Sequence, residues 1–75
     1  MVLKNRLKAY RAELGLNQQE FGKRAGVSRQ TISLIERGDY SPSVTLALKI
    51  AGVLNVCVED VFYLGGKEDE ETKHF

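Results

Sequence analysis

Apolar residues recur along this chain at the spacing of amphipathic helices. Near the start, Leu3, Leu7, Tyr10 and Leu14 follow one another at intervals of three or four residues, which places them on one face of a helix. Shorter segments with the same spacing follow, separated by residues that suit helix caps, turns or loops. The pattern predicts five helices, over residues 3–14, 17–25, 29–37, 44–54 and 58–63, and no strand.

The second and third predicted helices are separated by only three residues, Gly26, Val27 and Ser28. Gly26 permits the left-handed backbone that a tight turn requires, Val27 can fill the centre of the turn, and Ser28 can cap the third helix. Gly22 adds almost no bulk where the two helices cross. This spacing is typical of a helix-turn-helix, although helical bundles with a purely structural role contain similar turns.

Length and composition fit one small globular domain. The chain has 75 residues, of which 43% are hydrophobic and 28% are charged. These values argue against disorder of the whole chain, and no apolar run is long enough for a membrane span. We therefore expect an all-α fold, a compact five-helix bundle over residues 1–64. Residues 65–75 contain the acidic run KEDEETKHF and are expected to form a disordered tail.

The charge of the whole chain conceals an asymmetry along it. The net charge is +1 at pH 7. Residues 4–37 contain eight basic and three acidic side chains, a net charge of +5, whereas residues 38–75 contain three basic and seven acidic side chains, a net charge of −4. Such an asymmetry suggests a nucleic-acid-binding face with an acidic remainder, and a chance scatter of surface charges is the alternative.

Several classes of site find no support in the sequence. Cys57 is the only cysteine and His74 the only histidine, so neither a disulfide nor a metal site is expected. The chain has no nucleophile–base pair of convincing spacing and no glycine-rich phosphate loop, which argues against an enzyme. No cofactor, small-molecule ligand or membrane partner is indicated. The absence of a signal-peptide pattern and the lone thiol favour a cytoplasmic location.

About four fifths of the chain, residues 3–63, resembles the phage-repressor helix-turn-helix family, the Cro-like or XRE-type transcription regulators. The resemblance rests on motifs in the family's order, namely LKAYR at 7–11, LNQQEF at 16–21, GVSRQTI at 26–32, IERG at 35–38, YSPS at 40–43 and LKIA at 48–51. It implies a lambda-repressor-like domain with a helix-turn-helix at residues 18–37. The third helix would enter the major groove of double-stranded DNA.

The resemblance also implies which residues read the bases. Carried onto this chain, they are Arg29, Gln30 and Leu34, with Thr31 and Ser33 beside them. Arginine can bond guanine and glutamine can bond adenine through two hydrogen bonds each, and a leucine can contact a thymine methyl group. For Arg29, a phosphate contact is the alternative.

A second set of residues is implied to contact phosphate or to hold the fold. Phosphate candidates are Gln18, Ser28, Arg37 and Tyr10, together with the doubtful position Asp39, where similar proteins often have a lysine. A carboxylate at Asp39 would repel DNA. Arg11 and Glu36 correspond to the family's buried ion pair, which ties the first helix to the end of the third.

The sequence thus predicts a sequence-specific DNA-binding regulator, a repressor that acts as a homodimer on a two-fold symmetric operator. The fifth helix and its end contain more apolar side chains than one short helix needs, so the dimer contact is assigned to Val58, Val61, Phe62, Tyr63 and Leu64. The alternative is an antitoxin-like or adaptor module whose main partner is another protein. Cys57 is expected to be a small half-buried apolar residue, with redox sensing as the alternative.

Overall fold

The computed structural model describes residues 2–65, which form five α-helices and two short β-strands. Their order is β1 (Val2–Asn5), α1 (Leu7–Glu13), α2 (Gln18–Ala25), α3 (Arg29–Arg37), α4 (Val44–Leu54), α5 (Val58–Val61) and β2 (Phe62–Gly65). The two strands pair antiparallel, with Val2 opposite Gly65 and Asn5 opposite Phe62. The sheet therefore joins the first and last described segments of the chain.

The expectation of an all-α fold is wrong at both ends of the domain. Leu3 lies in β1 instead of the first turn of a helix, and the fifth helix ends at Val61. Asn5 explains where the first helix begins, because its Oδ1 accepts a hydrogen bond from the backbone N–H of Leu7 at 3.1 Å and so binds a free donor of the first turn. Its Nδ2 donates to the carbonyl oxygen of Ile35 at 2.8 Å, which fastens β1 to the last turn of α3.

One hydrophobic core lies between the helices. Its buried members come from α1 to α5 and are Leu7, Phe21, Ala25, Ile32, Ile35, Ile50, Leu54 and Val61. All four helices from α2 to α5 begin after a residue in extended backbone, and the side chains of Asn17, Ser28 and Ser43 accept a hydrogen bond from the third residue of their helix. Local capping and a shared core thus fix α2 and α3 relative to the rest of the domain.

Two further expectations concern the C-terminal part of the chain. The proposed tail, residues 65–75, lies outside the described residues except for Gly65, which belongs to β2. Cys57 is exposed at the N-cap of α5, so its assignment as a half-buried apolar residue is wrong. Within residues 2–65, no helix combines the length and apolar character that crossing a membrane requires.

Candidate nucleic-acid interface

The turn between α2 and α3 has the geometry that the sequence predicts for a helix-turn-helix. A capping box opens α2, in which Asn17 accepts from the backbone N–H of Glu20 at 2.8 Å and Glu20 accepts from that of Asn17 at 2.9 Å. Gly26 ends α2 with φ +80°, a left-handed conformation that costs glycine little. Ser28 then caps α3 by accepting from the N–H of Thr31 at 3.2 Å.

Gly22 allows the two helices to cross closely. A Cβ atom at this position would lie 2.7 Å from the carbonyl oxygen of Val27 and 3.3 Å from two backbone atoms of Ser28. The backbone N–H of Val27 also donates to the carbonyl oxygen of Gly22 at 2.9 Å. The missing side chain therefore sets the distance between α2 and the start of α3, and with it the direction in which α3 leaves the turn.

The exposed face of α3 gathers most of the predicted base-reading residues. Arg29, Gln30, Ser33, Leu34 and Arg37 line one shallow depression, as their spacing along a helix requires. Arg29 and Gln30 are exposed, whereas Ser33 and Leu34 are half-buried. The opposite side of α3 is apolar, with Ile32 and Ile35 in the core. Apart from Leu34, the helix therefore presents polar side chains outward, while its apolar inner face packs in the core.

Thr31 and Ser28 have a different position from the other predicted contacts. The hydroxyl oxygens of Thr31 and Ser28 are 3.1 Å apart, and neither residue lines the depression on α3. Both hydroxyl groups take part in the cap of the helix. The structure thus links these two residues first of all to the start of α3.

The ion pair that the resemblance implies is present between α1 and α3. Arg11 Nε donates to Glu36 Oε2 at 2.6 Å and Arg11 Nη2 donates to Glu36 Oε1 at 3.1 Å, with side chains only 13% and 5% exposed. The hydrogen bond to Glu36 raises the pKa of the Arg11 guanidinium, against a smaller lowering by desolvation. The raised pKa means that folding favours the charged form of Arg11. The ion pair with Glu36 therefore stabilises the fold at neutral pH, and this stabilisation is lost only in strong alkali.

A second depression lies at the N-terminus of α2, beside the start of α3. Its lining residues are Arg11, Asn17, Gln18, Gln19 and Arg29. Gln18 is half-buried, and its Nε2 donates to Glu36 Oε1 at 3.1 Å. Asn17 and Gln19 are not among the contacts predicted from the sequence. Their polar side chains next to Gln18, at the start of a helix with free backbone N–H groups, are the signal that could have identified them.

The remaining phosphate candidates lie apart from this depression. Arg37 is at the end of α3, and its Nε is 3.4 Å from Asp39 Oδ2, with both side chains largely exposed. The carboxylate of Asp39 therefore lies close enough to offset part of the charge of Arg37. Tyr10 is half-buried against the core and lines neither depression.

The dimer contact assigned from the sequence is wrong for Val61, which is 0% exposed in the core. Phe62 packs against the same core, and the ring of Tyr63 lies under the guanidinium of Arg6 at 4.1 Å. Val58 is half-buried, and Leu64 alone of the five is exposed. The surplus of apolar residues near α5 is thus used mainly by the core and by the contacts of β2.

The comparisons with known proteins agree on one family. The helix-turn-helix family HTH_3 matches residues 7–60. The chain is 51% identical over 69 residues to the uncharacterized HTH-type transcriptional regulator MJ0272 of Methanocaldococcus jannaschii, covering 92% of this chain and 100% of that protein.

Two solved structures share the fold of the described domain. The P22 c2 repressor in complex with a synthetic operator has a TM-score of 0.70 and 31% identity, covering 72% of this chain and 82% of the repressor chain. The biofilm regulator SinR in complex with DNA has a TM-score of 0.67 and 38% identity, covering 72% of this chain and 87% of the SinR chain. The chain therefore belongs to the helix-turn-helix family of transcriptional regulators.

Proposed function

We propose that this protein is a sequence-specific DNA-binding regulator that places α3 in the major groove and represses transcription by occupying an operator. The observation that carries the proposal is the exposed face of α3, where Arg29, Gln30, Ser33, Leu34 and Arg37 line one depression. An α-helix fits the major groove, and side chains near its N-terminus reach the base edges. The similarity to the P22 c2 repressor and SinR, both solved with DNA, supports the same use of the helix.

Phosphate contacts are proposed near both ends of α3. At the N-terminus of α2, Gln18 and Gln19 lie beside Arg29, so that backbone N–H groups and side-chain donors converge on one depression. At the other end, Arg37 is exposed and can reach the DNA backbone. These contacts would position α3 in the groove, whereas Arg29 and Gln30 would distinguish the bases.

Substitution of Arg29 and of Arg37 should have different effects on DNA binding. Arg29→Ala should weaken binding to the selected operator by about 1–3 kcal/mol and relax the preference at one base position. Arg37→Ala should weaken binding to all sequences to a similar extent and reduce the slope of log affinity against log salt by about one unit. Selection of binding sites from a random DNA pool gives the operator and the base preference of each variant. Gel-shift titrations at several salt concentrations then measure the affinity and its salt dependence.

Arg24→Ala is the matched control, because Arg24 is exposed in the last turn of α2 and its loss changes the net charge equally. It should leave base preference unchanged. If Arg29→Ala also keeps every base preference of the unaltered protein, α3 has been wrongly assigned as the reading helix.

Asp39 is expected to restrain DNA affinity. Asp39→Asn removes the carboxylate that lies 3.4 Å from the Arg37 guanidinium, so Arg37 becomes fully available to phosphate and a repulsive charge is lost. Since exposed pairs are weak, we expect operator affinity to rise by only about twofold to fivefold, with a salt slope steeper by about one unit. In an Arg37→Ala background the steeper slope should disappear, and a rise in slope of the same size there would contradict the role given to Arg37.

We also propose that the protein binds DNA as a homodimer. A single module of this size offers a limited contact area, and a two-fold operator requires two copies of α3 about one helical turn apart. Among the helices of residues 2–65, the most exposed large apolar side chains are on α4, where Val44 is 77% and Leu48 is 58% exposed. They lie one turn apart on the same face, and this pair is a better candidate for the contact than the residues around α5.

Sedimentation tests the dimer directly. At micromolar concentration the unaltered protein should sediment at twice the 8.4 kDa of one chain. Leu48→Glu should convert it to a monomer and weaken operator binding at least about tenfold, because a charge would be buried in an apolar contact. Leu64→Glu, at the exposed residue of the earlier assignment, should leave the dimer intact. A single-chain species both free and on DNA would remove the dimer from the proposal.

A further inference from the structure

The carboxylate of Glu36 makes contacts beyond the ion pair with Arg11. Its Oε1 atom accepts two hydrogen bonds at 3.1 Å, one from Arg11 Nη2 and one from Gln18 Nε2, while Oε2 accepts from Arg11 Nε. Arg11 Nη1 also donates to the carbonyl oxygen of Leu16 at 2.9 Å. Glu36 thus connects α1, through Arg11, to the first residue of α2, while Arg11 itself bonds the turn before α2.

This arrangement fixes which end of the Gln18 amide faces Glu36. A glutamine amide has two N–H donors on nitrogen and an acceptor oxygen. Because a carboxylate only accepts hydrogen bonds, it selects the nitrogen and leaves the second N–H of Nε2 available. Gln18 lines the depression that also contains Gln19 and Arg29, where phosphate contacts are proposed. A rotated amide would instead offer its oxygen as a second acceptor, which cannot bond a phosphate oxygen.

We infer that Glu36 is a positioning residue for DNA binding, which holds the Gln18 amide with its free N–H toward a backbone phosphate. This inference rests on the proposed function and adds a specific route by which Glu36 affects it. Glu36 itself is not proposed to contact DNA. Its carboxylate is neutralised by Arg11, so it can lie behind a phosphate site without repelling the phosphate.

A double-mutant cycle separates positioning from support of the fold. Glu36→Gln keeps the size of the side chain but leaves only one acceptor oxygen, which will turn toward Arg11. The new NH₂ group then faces Gln18, and the Gln18 amide rotates to present its oxygen to that group. We expect Glu36→Gln to weaken operator binding about fivefold in the unaltered protein, the scale of one hydrogen bond. In a Gln18→Ala background, Glu36→Gln should have almost no effect on operator affinity. All affinities are measured at low temperature and expressed per folded protein.

Gln19→Ala provides the matched background, since Gln19 lines the same depression without a hydrogen bond to Glu36 among those of residues 2–65. There, Glu36→Gln should again weaken binding about fivefold. Equal weakening in the Gln18→Ala and Gln19→Ala backgrounds would mean that Glu36 acts through the fold alone and would overturn the inference while DNA binding itself stands. Failure of the unaltered protein to select any DNA would overturn both.

Nuclear magnetic resonance of the unaltered protein gives a second measurement, which does not depend on whether Glu36→Gln folds. The two Nε2 protons of Gln18 should be separated more widely than those of Gln19 and should exchange more slowly with water, because one of them is bonded to a nearly buried carboxylate. Addition of operator should then shift the second Gln18 proton. Gln18 signals that match those of Gln19 would overturn the inference.

Discussion

Glu36→Ala is expected to lower the free energy of unfolding by about 3–5 kcal/mol, the largest loss predicted for any polar side chain of the domain. The change leaves Arg11, whose side chain is only 13% exposed, without its carboxylate partner. It also removes the acceptor of the Gln18 amide. A small domain starts near the lower end of the range of about 5–15 kcal/mol, so the variant should be partly unfolded at 37 °C. Urea titration followed by circular dichroism measures the loss.

The exposed pair of Arg37 and Asp39 is the control for this prediction. Asp39→Ala also breaks a contact between an arginine and a carboxylate, but both of its side chains are about 60% exposed. Surface pairs contribute roughly 0–1 kcal/mol, so the stability of Asp39→Ala should be close to that of the unaltered protein. Similar losses for the two variants would show that burial of the Arg11–Glu36 pair does not determine its importance.

The helix-turn-helix could be predicted from the sequence because its determinants are local. The capping box of Asn17 and Glu20, the left-handed Gly26 and the cap at Ser28 each act within four residues of the backbone they fix. Each is also visible as a residue type at a fixed spacing. The strands could not be predicted in this way, because Val2 pairs with Gly65 and no residue within β1 indicates a partner that far along the chain.

The contacts of individual side chains were harder to predict than the helices. The apolar residues around α5 were assigned to a dimer surface, yet Val61 belongs to the core, and the surplus is explained by a strand that the periodicity did not show. The link between Gln18 and Glu36 joins residues of different helices through one oxygen atom. Residue types at fixed spacings indicate that both are polar residues of the helix-turn-helix, but only the packing of α2 against α3 brings them together.

The structure also changes what the charge asymmetry of the chain means. The basic part includes Arg11, which forms an ion pair with Glu36 inside the domain. It also includes Arg37, whose charge is partly offset by Asp39 from the acidic part. Fewer free positive charges are therefore available to DNA than the eight basic side chains of residues 4–37 suggest. Non-specific affinity should be correspondingly weak, so we expect discrimination between sequences to depend on a few side chains of α3 and on the proposed dimer.

Gly22→Ala and Gly52→Ala are expected to change stability in opposite directions. In the interior of a helix, replacing glycine by alanine gains about 1 kcal/mol when there is space for the methyl group. Gly52 lies in α4 with nothing within 4 Å of an added Cβ, so Gly52→Ala should be stabilising by about that amount. At Gly22 the Cβ would lie 2.7 Å from the backbone oxygen of Val27, an atom that cannot move without shifting the turn.

We therefore expect Gly22→Ala to cost about 3 kcal/mol, at the upper end of the range for overpacking, which makes the two variants differ by about 4 kcal/mol. Any folded Gly22→Ala protein should have α2 and α3 further apart, so that the depression at the start of α2 and the face of α3 no longer fit the same DNA duplex. Its operator affinity should fall while Gly52→Ala keeps normal affinity. Urea titrations of both variants and gel-shift titrations of the folded protein measure these effects. Normal stability and affinity in Gly22→Ala would show that the close crossing of α2 and α3 is not required for either.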